Sequence, residues 1–233
     1  MSLDDPLVSI LVPAYNEAAT VVTVLERVAE KVPFRTEVIV VDDGSTDDTA
    51  ALAEGVPGTI VIRQGANRGK GAAVRTGIER STGDIVVIQD ADLEYDPTDI
   101  PRLLDPLTRG AADVVFGSRL RGGEPQRAHL FWHYAGNKFL SLLTGVLYNT
   151  TLSDMEVGYK AFLGDLIRSI ELVSDDFAIE PEMTAKLLRR NVRVYEVPIS
   201  YYGRTFEEGK KITWRDGFAA IATLVRFRFG PKG

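Results

Sequence analysis

Along the first half of the chain, short β-branched apolar runs alternate with segments whose apolar residues recur at helical spacing. Val8–Val12, Glu37–Val41, Thr59–Arg63, Asp84–Gln89 and Asp113–Gly117 are predicted as buried strands. Thr20–Val32, Thr46–Glu54, Lys70–Arg80 and Pro97–Arg109, which lie between them, are predicted as helices. Strands that alternate with helices predict βαβ units and an α/β fold with a mostly parallel central sheet flanked by helices. Ligands of such sheets sit beyond the carboxyl ends of the strands, so the polar residues after each strand are the ones to read for chemistry.

After Gly117 the pattern changes. Leu120–Arg127 is a Gly/Pro/Arg-rich loop, long enough to form a mobile element. Leu130–Tyr148 carries aromatic and aliphatic residues at helical spacing. A strand at Val192–Ile199 leads into the polar loop Tyr201–Lys211, and Thr213–Arg228 closes the chain as a helix. With no internal repeat, low-complexity tract or shift in composition, one domain spanning 1–233 is expected.

Composition narrows the function classes. The chain contains 45% hydrophobic residues, enough for a core without metal or disulfide staples. It has no cysteine, which removes thiolate catalysis and thiolate metal sites. Its two histidines, His129 and His133, supply a histidine metal cluster or a Ser-His-Asp triad poorly. A net charge of −6 argues against a nucleic-acid surface. The longest apolar stretches, such as Phe218–Val225, fall far short of the ~20 residues a bilayer span needs, and no signal-peptide pattern opens the chain. A cytoplasmic protein without a transmembrane segment is expected.

Four segments follow predicted strands. Pro13-Ala14-Tyr15-Asn16-Glu17 is a proline turn where a dinucleotide-binding protein would place glycines; Tyr15 could stack on a base and Glu17 accept from a ribose or base, or the segment is an ordinary strand-to-helix turn. Asp42-Asp43-Gly44-Ser45-Thr46-Asp47 puts two carboxylates beyond a buried strand, costly unless paired. Asp43 is the candidate for a nucleobase N–H, while Ser45 or Thr46 would cap the next helix. Gly65–Gly71 misses both the phosphate-loop and the dinucleotide glycine patterns and reads as a tight turn. Asp90-Ala91-Asp92, joined by Glu94, is the central feature. A short acidic doublet is weak by itself, but this one follows the strand Ile85–Ile88 at the ligand-binding edge. Oxygen-only ligands of this kind suit Mg²⁺ or Mn²⁺ shared with diphosphate and water. The alternative is that these acids cap the helix beginning at Pro97.

Taken with Asn67-x-Gly69, Gly117-Ser118-Arg119, Asp154–Phe162, Glu180–Glu182 and Val197-Pro198-Ile199-Ser200, these motifs resemble the family 2 inverting glycosyltransferases of the GT-A fold. Within that family the sequence is most similar to dolichyl- and polyprenyl-phosphate mannose or glucose synthases, over nearly its whole length. The resemblance implies a metal-dependent hexosyltransferase that takes GDP-mannose or UDP-glucose. It implies that Pro13, Ala14, Tyr15 and Glu17 line the nucleotide pocket and that Asp43 meets the base. Asp90, Ala91 and Asp92 would contact the donor, with Asp90, Asp92 and Glu94 at the metal, Glu94 standing where the family often has Gln. Arg119, Arg204 and Lys210 would hold the acceptor phosphate or the donor diphosphate. Residues 1–117 would form the nucleotide-sugar half and 118–233 the acceptor half. At Lys160 the family commonly has Arg; lysine exchanges a bidentate fork for a point charge.

The implied reaction is displacement at the anomeric carbon. A lipid-phosphate acceptor needs no general base, only a cationic clamp; a sugar hydroxyl acceptor needs a carboxylate base, for which Asp154 and Glu182 are the candidates. A lipid acceptor also implies membrane contact, peripheral and at the inner face. Leu130–Leu147, with Phe131, Trp132, Tyr134, Phe139, Leu142, Leu143 and Val146, would serve as an interfacial helix or equally as a core helix, and the C-terminal helix poses the same choice. Two other classes stay open: a sugar-1-phosphate nucleotidyltransferase, which would want a Gly-rich basic loop after the first strand, and a non-catalytic nucleotide-sugar-binding domain.

Overall fold

A computed structural model describes residues 2–123, 131–203 and 214–230. One sheet of seven strands runs in the order β3-β2-β1-β4-β6-β5-β7. The strands are β1 Leu7–Ala14, β2 Arg35–Asp42, β3 Thr59–Arg63, β4 Ile85–Ile88, β5 Val114–Ser118, β6 Lys160–Leu163 and β7 Val194–Pro198. Helices α1 Val21–Lys31, α2 Thr49–Glu54, α3 Lys70–Arg80, α4 Ile100–Thr108, α5 Phe131–Tyr148, α6 Gly164–Arg168, α7 Ile179–Leu188 and α8 Trp214–Phe229 complete the order.

The central strands carry side chains buried on both faces, as in any parallel sheet covered by helices on both sides. All four residues of β4 are fully buried, as are Val8, Ile10 and Val12 of β1. The flanking helices present apolar stripes at the expected spacing: Val21, Val24, Leu25 and Val28 on α1, and Ile100, Leu103, Leu104 and Leu107 on α4. Each such side chain contributes roughly 1.5–3 kcal/mol. A 3-10 turn at Pro97–Asp99 precedes α4, and Asp96 caps it by accepting the Thr98 amide at 3.0 Å.

The five strands predicted in the first half are present, with shifted ends. β1 and β2 run on to Ala14 and Asp42, so the candidate residues after them sit directly at the strand ends. Three elements were not predicted: β6, α6 and α7. β6 inserts between β4 and β5 and is antiparallel to both, which makes the sheet mixed. Its first residue is the fully buried Lys160, a polar residue that hides the strand from an apolar pattern.

α5 and α8 pack on each other and on α7 around a small second cluster of Leu140, Met155, Ala185, Ala220 and Leu224. Tyr148 Oη donates to the Leu224 carbonyl at 2.7 Å and Arg228 Nε to the Leu147 carbonyl at 2.6 Å, tying the two helices together. α5 is thus part core helix, through Leu140, Ser141 and Thr144, while Phe131, Trp132, Phe139, Leu142 and Val146 stand outward and exposed. Phe218 and Phe229 of α8 are exposed as well. Among the described residues no helix is long and apolar enough to cross a membrane.

Candidate functional site

The carboxyl ends of β1, β2 and β4 open onto a cavity of 360 Å³. Pro13, Ala14, Tyr15, Glu17, Asp43, Asp90, Ala91, Asp92, Glu94 and Arg119 all line it. Ten residues singled out from the sequence therefore share one chamber. Arg204 and Lys210 lie outside the described residues.

Its first wall is built by two loops stitched together. Pro13 and Ala14 still pair with Val41 and Asp42 in the sheet. The chain then reverses at Asn16, whose φ of 55° suits asparagine in the left-handed region. The Asn16 amide donates to Ser45 Oγ at 2.9 Å, the Thr46 amide to Asn16 Oδ1 at 2.8 Å and the Glu17 amide to Thr49 Oγ1 at 2.8 Å. Ser45 thus secures the proline turn instead of capping α2, and Asp47 takes the Thr49 amide at 3.0 Å.

Asp43 is buried, and its two oxygens accept the Arg68 and Gly69 amides at 2.8 Å each. Burial raises its pKa, more than those two hydrogen bonds and the Arg68 charge lower it. Gly65–Gly71 is accordingly a tight turn, with its amides aimed at a carboxylate. Gly69 has φ 99°, and a Cβ there would stand 2.4 Å from the Asp175 carbonyl oxygen; one on Gly71 would stand 2.4 Å from that of Ser174.

Behind Asp90 lies a chain of buried charges absent from the sequence-based site. Lys70 Nζ sits 2.8 and 3.0 Å from the two Asp90 oxygens and 3.5 Å from Glu180 Oε1. Burial by itself would lower the Lys70 pKa, but the Asp90 and Glu180 charges hold it above the usual lysine value. Glu180 Oε2 pairs with Lys160, which also donates to the Val157 carbonyl and lies 5.0 Å over the Phe116 ring. Lys160 is wholly enclosed and does not line the cavity, so a phosphate contact at this position is not available to it.

Asp92 accepts the Glu94 amide at 3.0 Å across Leu93, which has φ 61°. Glu94 Oε2 accepts from Tyr201 Oη at 2.8 Å, and its carbonyl takes the Tyr202 amide at 2.9 Å. Tyr201 belongs to an aromatic group: Tyr95 lies 5.1 Å from Tyr159 and 5.6 Å from Tyr201 between ring centres, with the Arg119 guanidinium 5.2 Å over Tyr201. Among the described residues no three carboxylates or histidines gather as a ready-made metal cage. Asp90 faces Lys70 and Glu94 faces Tyr201, so the expected trio is not converged. The donor set still fits a hard cation, because Mg²⁺ in particular is commonly held by one or two carboxylates plus substrate phosphates and water.

Arg119 is fixed from behind. Its Nε and Nη2 donate to the two Asp154 oxygens at 2.8 and 2.7 Å, and its own amide donates to Asp154 Oδ2 at 2.9 Å. Burial alone would raise the Asp154 pKa, but the guanidinium holds it below the ordinary carboxylate value. Glu196 braces this loop by accepting the Ser153 amide at 2.8 Å and the Asp154 amide at 3.2 Å.

Neither candidate base is placed for that work. Asp154 is spent on Arg119. Glu182 is fully buried, accepting the Val173 and Ser174 amides at 2.9 and 2.7 Å and Lys186 at 2.7 Å. Neither lines the cavity. Glu156, which does, was not singled out; desolvation raises its pKa to about 7, with Lys160 lowering it and Glu180 raising it further.

Comparison with known proteins places this geometry. The profile of Glycosyl transferase family 2 matches residues 9–163. Glycosyltransferase AglJ of Haloferax volcanii is 35% identical over 240 residues, spanning 97% of this chain and 76% of that protein. Undecaprenyl-phosphate mannosyltransferase of Micrococcus luteus is 32% identical over 217 residues, spanning 86% of this chain and 85% of its own length. Glucosyl-3-phosphoglycerate synthase of Mycobacterium tuberculosis, crystallised with Mn²⁺ and uridine-diphosphate-glucose, superposes with a TM-score of 0.77 at 23% identity, over 97% of this chain and 80% of that one. That likeness is one of fold.

Proposed function

The chain belongs to glycosyl transferase family 2, and from that premise we propose that it moves a hexose, with inversion, from GDP-mannose or UDP-glucose to a polyprenyl or dolichyl phosphate. The observation that carries the reading is the single cavity where the turn after β1, Asp43, the Asp90–Asp92 segment and Arg119 converge. Pro13, Ala14, Tyr15, Glu17 and Asp43 would bind the nucleoside. Asp90, Ala91 and Asp92 would face the diphosphate. Asp92 would hold Mg²⁺ or Mn²⁺, diphosphate oxygens and water completing its shell. Bound there, the cation would act as a Lewis acid on the leaving diphosphate.

For a phosphate acceptor the nucleophile is already charged, since its second pKa of ~6 leaves it mostly dianionic at neutral pH. The protein then has to bring two anions together. Arg119, preset by Asp154, would hold the acceptor phosphate with Arg204 and Lys210. Asp154 and Glu182, committed to structural bonds, are not placed to serve a hydroxyl acceptor as bases. The Micrococcus relative, named for an undecaprenyl-phosphate acceptor, supports the phosphate course.

The exposed apolar residues of α5 and α8 support peripheral attachment at the inner membrane face, where such an acceptor resides. In this reading residues 1–117 serve the donor and 118–233 the acceptor. Incubation with labelled GDP-mannose or UDP-glucose and Mn²⁺ is expected to yield labelled polyprenyl phosphate; transfer only to a sugar hydroxyl refutes the assignment. Liposome flotation is expected to carry the protein upward, less so for Trp132→Ser/Leu142→Ser.

A further inference from the structure

The acids around the inner end of the cavity are paired by the protein itself. Asp90 has Lys70, Glu180 has Lys160 and Asp154 has Arg119. Glu156 forms neither a hydrogen bond nor an ion pair among the described residues, and its Oε1 is closed to water without any donor. The charged groups that act on it are Lys160, Glu180, Arg119 and Asp154. Lys160 and Arg119 each already serve another carboxylate, so among the described residues Glu156 is left without a cation of its own. An unpaired buried carboxyl in a cavity wall is complementary to a ligand that brings hydrogen-bond donors.

Its place along the chain says which part of the ligand that is. Two residues before it, Asp154 presets Arg119, the acceptor-side cation. Two residues after it, a Cβ on Gly158 would stand 2.9 Å from both Asp90 Oδ2 and Lys70 Nζ, at the diphosphate side. Glu156 thus lies between the group that leaves and the group that arrives. In a direct displacement the sugar ring occupies that interval. The terminal torsion of glutamate is broad and roughly two-fold, so the carboxyl can reorient toward a ligand.

We propose that Glu156 binds the hydroxyls of the transferred sugar, and that the sugar is a neutral hexose, not a uronate. This rests on the transferase reading above. Hydroxyls supply the missing donors, and a sites-for-hydroxyl design rejects ligands that lack them. A sugar carboxylate would bring Glu156 a further acceptor where a donor is wanted.

The test is calorimetric titration of wild type, Glu156→Ala and the isosteric Glu156→Gln, each with Mn²⁺. The ligands are UDP, UDP-glucose and UDP-glucuronate, with GDP and GDP-mannose in parallel. Glu156→Ala is expected to weaken the preferred nucleotide-sugar about 10- to 100-fold while leaving the bare nucleoside diphosphate within about two-fold. Glu156→Gln, which keeps an acceptor oxygen, should lose less. Wild type should bind UDP-glucuronate at least about tenfold more weakly than the neutral sugar. Equal loss for nucleotide and nucleotide-sugar would make Glu156 a structural residue and overturn the proposal, as would no loss at all. Absence of nucleotide binding by the wild type would instead overturn the transferase reading, and this inference with it.

Discussion

Replacing Asp154 by asparagine keeps the shape of the side chain and removes its charge. In the native protein that carboxylate is fully buried and receives two guanidinium bonds, at 2.8 and 2.7 Å, and the Arg119 amide at 2.9 Å. The Arg119 charge is only 8% exposed at residue level and would be left without its partner. Breaking a buried pair on one side costs about 3–5 kcal/mol. At about 2–4 °C per kcal/mol for a chain of this size, Asp154→Asn is expected to lower Tm by about 6–20 °C at pH 7, read by differential scanning calorimetry. The pH dependence has a defined sign. Because the folded pKa of Asp154 lies below its ordinary 3.8, its contribution is present above that value and disappears as pH falls through the lowered one. The gap between wild type and variant should therefore close below about pH 4. Arg119→Met/Asp154→Leu removes both charges and should recover most of the stability while transfer stays lost. A drop of less than about 2 °C for Asp154→Asn, unchanged by acid, would refute the claim that this pair sets Arg119 in place.

Asp92→Ala is expected to weaken UDP or GDP binding in the presence of Mn²⁺ by an order of magnitude or more, measured by calorimetry, because the bridging charge is lost. Gly71→Ala would press a methyl to 2.4 Å from the Ser174 carbonyl oxygen, and a cost of about 1–3 kcal/mol should appear as a lower urea midpoint. Glu156 carries a folded pKa raised from 4.5 to about 7, so wild type loses stability as pH rises through that interval. Glu156→Gln should match or fall below wild type near pH 4.5 and gain on it by at most ~3 kcal/mol at pH 8, in paired thermal melts.

The part of the site at the ends of β1, β2 and β4 was legible because its residues follow strands in sequence. Five apolar runs located the sheet edge, and the polar residues after them lie at the cavity as expected. What escaped reading depends on partners far along the chain. Lys160 is tolerable in a buried strand only because Glu180 and the Val157 carbonyl receive it, and nothing local announces that pairing. α7 was hidden by its buried acids Glu180 and Glu182, which read as motif residues instead of as parts of a helix buried all round. Lys70 was passed over once its glycine turn failed the phosphate-loop spacing, although a lysine opening a helix beneath an acidic strand end was the available signal. Asp154 and Glu182 were named as bases for a hydroxyl acceptor because residue type does not reveal that a carboxylate's lone pairs are already occupied.

The strand arrangement also bears on how this scaffold could be taken apart. The proposed division after residue 117 falls inside β5, and both neighbours of that strand, β6 and β7, come from the later sequence. β4 likewise shares one edge with β6. A cut at that boundary would strand β5 on the wrong fragment and strip β4 of a neighbour. Grafting a foreign second half to change acceptor preference should therefore succeed only when the junction falls before Val114, so that β5, β6 and β7 travel as one cassette.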